Sequence, residues 1–390
     1  MKRIVIRDEI VNHDLNCNPK NQLLVFDGKQ VKTITFQGEK EKGTILNSYN
    51  EYTMIKNKPI NNAYSAPFKI YLDITSACNL GCLHCLNGHT KKPVSRLSLV
   101  DIRKIQRYCE EWGVFFVKIG GGEPLLHPQI KDILDILSSS FTLVSMTSNA
   151  TYYDDSIYSN ILKNKIKFSV SMDGERDVHN HIRQSSDAYD KLTTNVEKML
   201  AIGLKPSIKY CVNQYNCDVH SLDAVIQYAR EREMIVELKL MKPIRDCNYL
   251  MDNLTPRRVK EIITHGQQFD NVRVDRVFDQ YHTGELLKTL CAGKDCRAGT
   301  RSMHINYFGE VRPCTFIEDT YFKKICNMKT TALNEIWEHD QNMITFRNQD
   351  VPQQCKACEN DCKAVCYAYR VYNGSLLADN DTCTKAWVQE

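Results

Sequence analysis

Phe68-Lys69-Ile70-Tyr71-Leu72-Asp73-Ile74 runs through Thr75-Ser76-Ala77 into Cys78-Asn79-Leu80-Gly81-Cys82-Leu83-His84-Cys85. The first half is a short apolar run of strand type, and the second sets three cysteines in C-x3-C-x2-C spacing directly behind it. Downstream the pattern repeats. Strand-like runs at 115–119, 141–147, 167–172, 207–212 and 235–241 alternate with helical periodicity at 99–112, 128–139, 155–163, 188–202, 220–232 and 255–269. In the segment 99–112, Ser98 can cap the start while Ile102, Ile105, Cys109 and Trp112 fall on one face. Six strand–helix units predict a parallel sheet, because parallel strands need crossovers. Periodicity leaves a curled partial barrel and an open doubly wound sheet both standing. In either, functional groups gather at the carboxyl ends of the strands, where Cys78–Cys85, Glu123, Asn149 and Asp173 follow the first four strands in turn.

The 390 residues are 42% hydrophobic and 25% charged, a globular balance that excludes a largely disordered chain. No apolar run reaches the ~18 residues that a membrane span needs. The N-terminal Met1-Lys2-Arg3-Ile4-Val5-Ile6-Arg7-Asp8 places charges where a signal peptide needs apolar residues, so a cytoplasmic protein is expected. A net charge of +4 gives no reason to invoke nucleic acid or membrane partners. The abnormal number is 17 cysteines. Disulfide-dense chains are short and exported, so clustered thiols in a long chain without an export signal point to metal. The groups are Cys78, Cys82 and Cys85; Cys291, Cys296 and Cys314; and Cys355, Cys358, Cys362 and Cys366, followed by Cys383. Cys17, Cys109, Cys211, Cys217, Cys247 and Cys326 are scattered. Structural zinc closes with four protein ligands, which His84 or His89 could complete, whereas three cysteines on an iron–sulfur cluster leave one iron open.

Around the strands, the motifs resemble those of the radical S-adenosylmethionine (SAM) superfamily. Cys78-x3-Cys82-x2-Cys85 is similar to its signature loop, Gly120-Gly121-Gly122-Glu123-Pro124 to its glycine-rich segment, and Ser169-Val170-Ser171-Met172-Asp173-Gly174 to its fourth-strand motif. The resemblance implies a partial (β/α)6 TIM-like barrel at 67–284 in which Cys78, Cys82 and Cys85 hold three irons of a 4Fe–4S cluster. The fourth iron chelates SAM, and one electron cleaves it to a 5′-deoxyadenosyl radical. It further implies a SAM site built from His84 near the adenine, Gly121, Gly122 and Glu123 at the methionine amino group, Asn149, Ser171 at the ribose, Asp173, and Arg183 at the methionine carboxylate.

Residues 285–390 lack the strand–helix alternation. With a hairpin expected from about Met303 to Cys314, they read as a small domain held by metal rather than by a large core. Their cysteines resemble the SPASM extension of the same superfamily, although three residues separate Cys358 from Cys362 where the family usually has five. The resemblance implies two auxiliary 4Fe–4S clusters, one on Cys291, Cys296, Cys314 and Cys366 and the other on Cys355, Cys358, Cys362 and Cys383. The total would be three clusters, fed by a low-potential donor of flavodoxin or ferredoxin type.

SPASM enzymes commonly act on peptides, so the resemblance favours maturation of a ribosomally made peptide: crosslinking, thioether formation or epimerisation. Thr315 and Phe316 after Cys314 count against a sulfatase maturase. The same chemistry on a small biosynthetic intermediate and a zinc-bound interaction module are the alternatives. Cys217 and Cys247, after the fifth and sixth strands, are candidate hydrogen donors to a substrate radical. Residues 1–66 read as a strand-rich segment in which Asp27-Gly28 forms a type I′ hairpin between 23–26 and 31–36, with 37–66 as a linker holding one short element. It either caps the barrel or docks a peptide by strand addition.

Overall fold

The computed structural model describes residues 4–11, 20–58, 60, 62–86, 93–242, 250, 254–274, 296, 298–317, 319–322, 324–348 and 366–372. The N-terminal part is a four-stranded sheet of β1 (Ile4–Val11), β2 (Lys20–Phe26), β3 (Val31–Phe36) and β4 (Tyr52–Lys56), with α1 (Gly38–Asn47) between the last two. The order is β3-β2-β1-β4, antiparallel except where β4 runs parallel to β1. The expected hairpin is present, but Phe26 pairs with Val31, so the loop has four residues rather than two. Asp27 Oδ1 accepts the backbone N–H of both Lys29 and Gln30 there, and Gly28 supplies a φ of +82°. The stretch expected to be a linker instead contributes a helix and an edge strand.

One face of this sheet, with Ile6, Leu23, Val25 and Phe36, packs on Ile45 and Leu46 of α1. The other face, with Val5, Leu24, Phe26 and Ile55, meets Phe115, Phe116, Phe141 and Leu143, residues at the amino ends of barrel strands. The sheet therefore covers the floor of the barrel. Arg7 and Glu9 pin it there, as a fully buried ion pair of 2.6 Å.

The barrel strands are β5 (Lys69–Asp73), β6 (Phe116–Gly120), β7 (Leu143–Ser148), β8 (Lys167–Ser171), β9 (Ser207–Val212), β10 (Val236–Leu240) and β11 (Val272–Val274). They lie parallel and side by side in chain order. A doubly wound sheet reverses its order at a switch point, so the uninterrupted sequence decides for the singly wound, partial barrel. The intervening helices are α2 (Leu99–Trp112), α3 (Ile130–Ser138), α4 (Asp155–Lys163), α5 (Arg176–Arg183), α6 (Ala188–Ala201), α7 (Val219–Arg230) and α8 (Pro256–Gly266). Ser98 and Asp101 form a reciprocal capping box at the start of α2. Along the strands Ile70, Leu72, Val117, Ile119, Val144, Met146, Phe168, Val170, Ile208, Tyr210, Val236 and Leu238 join one apolar cluster with the helices. Strand alternation turns the residues between them into the lumen.

The C-terminal region adds β12 (Ser302–Ile305), β13 (Glu310–Arg312), β14 (Cys326–Asn327), α9 (Leu333–His339), α10 (Gln341–Arg347) and α11 (Tyr367–Tyr372). The expected hairpin is β12–β13, turning at Gly309, whose φ is +87°. It is not a satellite. β12 runs parallel to β5 and extends the barrel sheet from that edge. Met303, Ile305, Val311, Trp337 and Met343 belong to the barrel's own core, and Trp337 Nε1 donates to the carbonyl of Tyr64 at 2.9 Å. The described part of this region thus has a large core, borrowed from the barrel.

Candidate active site at the mouth of the barrel

The three-cysteine loop leaves β5 as an extended segment. Ile74 N–H donates to Gly120 O, Gly122 N–H to Thr75 O, and Glu123 N–H to Ala77 O, at 2.7–3.2 Å. This pairing explains the glycines. A Cβ on Gly121 would strike the carbonyl oxygen of Thr75, one on Gly122 the carbonyl of Ala77, and Gly121 also holds a φ of +124°. The glycine-rich turn thus fixes the base of the cysteine loop, a tighter demand than admitting a ligand. The far limb closes through Ser76 and Ser95, and Leu83 N–H donates to Ile182 O of α5.

Of the three thiols, Cys78 is exposed, Cys82 buried and Cys85 between. Burial of its sulfur is the main cause that pushes the Cys78 thiol up to about 11, and Glu123, Cys82 and Cys85 lie close enough to add to it by charge repulsion. Among the described residues no group of three His, Cys, Asp or Glu side chains converges as a single ion would require. A four-iron cluster asks for something wider, three thiolates spread over separate irons, and the loop offers that.

Behind the loop, Arg183 Nε and Nη2 both lie 2.7 Å from Asp173 Oδ2, with Asp173 fully buried. Nη1 points at Cys82 Sγ, 3.7 Å away. A guanidinium there can donate to a sulfur that holds metal. Burial pushes the Asp173 carboxyl up, but Arg183, the two neighbouring imidazoles and the Cys211 N–H together more than offset it and hold the group below its ordinary range. His179 Nδ1 accepts the backbone N–H of Asp173 at 3.2 Å. Two buried ring nitrogens next to this pair, His84 Nδ1 and His179 Nε2, have no hydrogen-bond partner. Burial pushes His84 down to about 4, so its ring is neutral near pH 7. Other buried polar atoms also lack partners, and what distinguishes these two is their place beside the three-cysteine loop, where a ligand could supply the bond.

Glu123 is spoken for by the protein. Its carboxylate accepts from Leu125 N–H, Ser148 Oγ and Asn149 N–H at 2.7–3.1 Å, and burial pushes its pKa up. Asn149 Nδ2 donates to Asn79 Oδ1 at 2.9 Å, tying the exit of β7 to the cysteine loop. Ser171 ends β8 on the lumen side. The residues expected around SAM (His84, Gly121, Gly122, Glu123, Asn149, Ser171, Asp173 and Arg183) thus cluster at one end of the barrel.

Cys217, one of the two hydrogen-donor candidates, does not join them. Cys217 is 2% exposed within the helix-side core, and its thiol is pushed up to about 11 by burial. Cys247 lies outside the described residues. The thiol that faces the lumen is Cys211, whose backbone N–H reaches Asp173 Oδ1 at 3.5 Å. It alternates with Tyr210 and Val212, which face the helices.

In the C-terminal region Cys296, Cys314 and Cys366 come together around Phe322, Phe346 and Ala368; burial pushes the Cys314 thiol up, and Cys366 and Cys296 are close enough to add to it. Their expected fourth partner, Cys291, lies outside the described residues, as do Cys355, Cys358, Cys362 and Cys383. Sequence reasoning missed His304, whose Nε2 sits 2.8 Å from Asp73 Oδ2 between β12 and β5. It also missed lysines on the inner face of the barrel. Their signal was available, since Lys118 in Phe-Val-Lys-Ile-Gly interrupts a run that parallel strands normally keep apolar.

The sequence matches two known families: residues 72–221 match the Radical SAM superfamily, and residues 296–362 an iron–sulfur cluster-binding domain, SPASM. Mycofactocin maturase MftC of Mycolicibacterium smegmatis is 24% identical over 337 residues, covering 83% of this chain and 84% of that protein. The subtilosin biosynthesis protein AlbA of Bacillus subtilis is 23% identical over 257 residues, covering 65% of this chain and 56% of AlbA. Among solved structures, Streptococcus suis SuiB bound to its precursor peptide SuiA superposes with a TM-score of 0.75 at 15% identity, over 93% of this chain and 96% of that one. At that identity the likeness establishes the fold alone. The two family matches carry SAM and iron–sulfur clusters as cofactors. The chain belongs to the radical SAM superfamily, as an enzyme with a C-terminal SPASM domain.

Proposed function

We propose that the chain is a peptide maturase whose SAM cluster sits on Cys78, Cys82 and Cys85. The bound cluster and SAM supply one-electron cleavage of the sulfonium and hydrogen abstraction from the substrate. The chain's own residues do the positioning. Arg183, locked by Asp173, donates to the Cys82 sulfur and leaves its outer edge for the methionine carboxylate. Neutral His84 packs beside it, and Ser171 and Asn149 line the adjoining strand ends. Cys296, Cys314 and Cys366, with Cys291, would hold one auxiliary cluster, and Cys355, Cys358, Cys362 and Cys383 a second, making three clusters in all.

The observation that carries the reading is the buried Arg183–Asp173 pair aimed at Cys82, with two orphaned imidazole nitrogens beside it. The peptide class draws on the relatives, two of which are named for peptide products and one of which was solved with a precursor peptide. The exposed strand β3, at the edge of the N-terminal sheet, is the proposed dock for such a precursor, by strand addition. The test is anaerobic reconstitution with SAM, a strong reductant and the product of any short open reading frame beside the gene. Reductant-dependent 5′-deoxyadenosine and a changed mass or stereochemistry of the peptide are expected. Deoxyadenosine release with every such peptide left unaltered would remove the peptide reading and leave the radical chemistry standing.

A further inference from the structure

Asn79, set between Cys78 and Cys82 in the chain, is exposed, yet both ends of its amide are engaged. Its Nδ2 donates to Thr151 Oγ1 at 2.8 Å, and the Thr151 hydroxyl donates to Asn149 Oδ1 at 2.8 Å. Asn149 Nδ2 then returns to Asn79 Oδ1 at 2.9 Å. Three side chains from two loops thus close a ring in which each donates once to the next. The backbone N–H of Thr151 also reaches Asn149 Oδ1, at 2.9 Å. An N–H only donates, so it fixes which way round the Asn149 amide sits, and with it the sense of the ring.

The ring is anchored on the barrel. Asn149 N–H donates to Glu123 Oε2 at 2.7 Å, and Ser148 Oγ to Glu123 Oε1 at 2.8 Å. The next residue, Ala150, is fully buried in the left-handed region at φ +55°, a conformation that a Cβ disfavours. It is held there from both ends. Its N–H donates to Ser148 Oγ at 2.8 Å, and its carbonyl accepts from Asn195 Nδ2 of α6 at 2.9 Å. A strained residue persists only where its surroundings over-determine it. Here the turn lets the side chains on either side of it, Asn149 and Thr151, both reach Asn79.

Glu123 joins the ring to the other side of Cys78. Its N–H donates to the Ala77 carbonyl at 2.7 Å, while its carboxylate holds Ser148 and Asn149. Cys78 is therefore bracketed, since Ala77 before it and Asn79 after it are both tied to one buried residue. The other two thiols have different supports: Cys82 stands beside Arg183, and Cys85 N–H donates to Cys82 O at 3.1 Å. We infer that Asn79, Asn149 and Thr151 are positioning residues that hold Cys78 where it ligates iron, Asn149 acting on the site through the loop. The inference rests on the reading of Cys78, Cys82 and Cys85 as ligands of the SAM cluster. A partly exposed ring of neutral hydrogen bonds contributes little to folding, because water competes for each of them. What it contributes is order, fixing beforehand a loop that would otherwise lose its freedom only on binding metal.

The test compares the parent with Thr151→Val, which keeps the volume and loses the hydroxyl, and Thr151→Ser, which keeps the hydroxyl. Asn79→Ala, at an exposed position, breaks the ring from its other side. Each full-length protein is reconstituted anaerobically, and iron release to bathophenanthroline disulfonate is followed. A Cys78→Ala/Cys82→Ala/Cys85→Ala variant defines, by difference, the iron held by these three thiols. That iron is expected to leave Thr151→Val and Asn79→Ala about fivefold faster than the parent, the factor that one ordinary hydrogen bond commands. Thr151→Ser should release at the parent rate, and all of them should share the parent's urea midpoint as apoproteins. The electron paramagnetic resonance spectrum of the reduced SAM cluster should change with Thr151→Val and return with Thr151→Ser. Release from Thr151→Val at the parent rate overturns the inference. So does equal acceleration by Thr151→Val and Thr151→Ser, or the same acceleration when Thr151→Val is added to the triple cysteine variant, because the effect would then belong to packing or to the whole chain. A parent that holds no more iron than the triple cysteine variant would instead sink the cluster reading, and the role of the ring with it.

Discussion

Two buried guanidinium–carboxylate pairs organise this molecule, and they are used differently. Arg7 and Glu9 sit at the seam between the N-terminal sheet and the barrel, both side chains at 0% exposure. Every neighbour there is the fold itself. Arg7 Nη1 donates to Gly113 O at 2.8 Å, just past the carboxyl end of α2, its guanidinium lies between the rings of Tyr64 and Phe115, and Glu9 accepts from the hydroxyl and N–H of Ser65. Even so, Arg7 Nη2 finds no hydrogen-bond partner there. Arg183 and Asp173, at the mouth, are nearly as buried, but beside them stand a thiol of the three-cysteine loop and two imidazole nitrogens without a hydrogen-bond partner. A buried ion pair, or a single unpartnered atom, therefore says little about function. Reactive chemistry gathered beside it says more.

The sharpest way to break that contrast is to neutralise both pairs. Glu9→Gln alone strands Arg7 in the seam and is expected to cost about 3–5 kcal/mol, read as a lower urea midpoint. Adding Arg7→Met should recover much of it, because Gln can still accept from Ser65. Asp173→Asn should destabilise comparably, and Arg183→Met on top should recover stability in the same way. SAM cleavage should not return with it. If the mouth double variant regains both, Arg183 is a structural residue like Arg7 and the contrast disappears.

A middle-sized effect is expected at Gly122, where the two halves of the mouth meet. Gly122→Ala forces a methyl into the Ala77 carbonyl, an overpacking of about 1–3 kcal/mol that only movement of the cysteine loop can relieve. Iron counted after anaerobic reconstitution should fall by about one cluster's worth, with the C-terminal clusters retained. Unchanged iron would mean that the loop does not depend on this close approach.

Much of the barrel was legible beforehand because its elements are regular. Strand runs and helical faces between 69 and 269 land on β5–β10 and their helices, and Ser98 caps α2 as its position suggested. The mouth was legible for the same reason that it works, since a strand exit followed by short-spaced cysteines or glycines concentrates chemistry in few residues. The seam was not. Arg7 and Glu9 read as charges on a polar terminus, and only tertiary packing buries them. Nor was the docking of β12 on β5, which joins strands more than two hundred positions apart, a pairing that no local pattern encodes although the hairpin itself was expected. Helix α5 was overlooked because its turns carry few apolar residues, yet it delivers His179 and Arg183. Cys217 misled because position after a strand does not fix which face a side chain takes.

The smallest effect lies between seam and mouth, at Lys118, and its sign is fixed by linkage. Lys118 titrates near 7 in the folded chain against 10.5 ordinarily, so the unfolded chain binds more protons between those values. Burial is the main cause, Lys69 on β5, Lys209 on β9 and Lys239 on β10 add to it, Glu237 on β10 opposes it, and Ser145 on β7 and Ser169 on β8 are neutral. Stability attributable to this residue is thus lowest below pH 7 and rises towards pH 10.5. Lys118→Met, which removes the ammonium and keeps much of its length, should unfold at a temperature about 1–3 °C above the parent at pH 6. That advantage should shrink steadily as pH rises through the window. An advantage independent of pH would mean that Lys118 is solvated like any surface lysine.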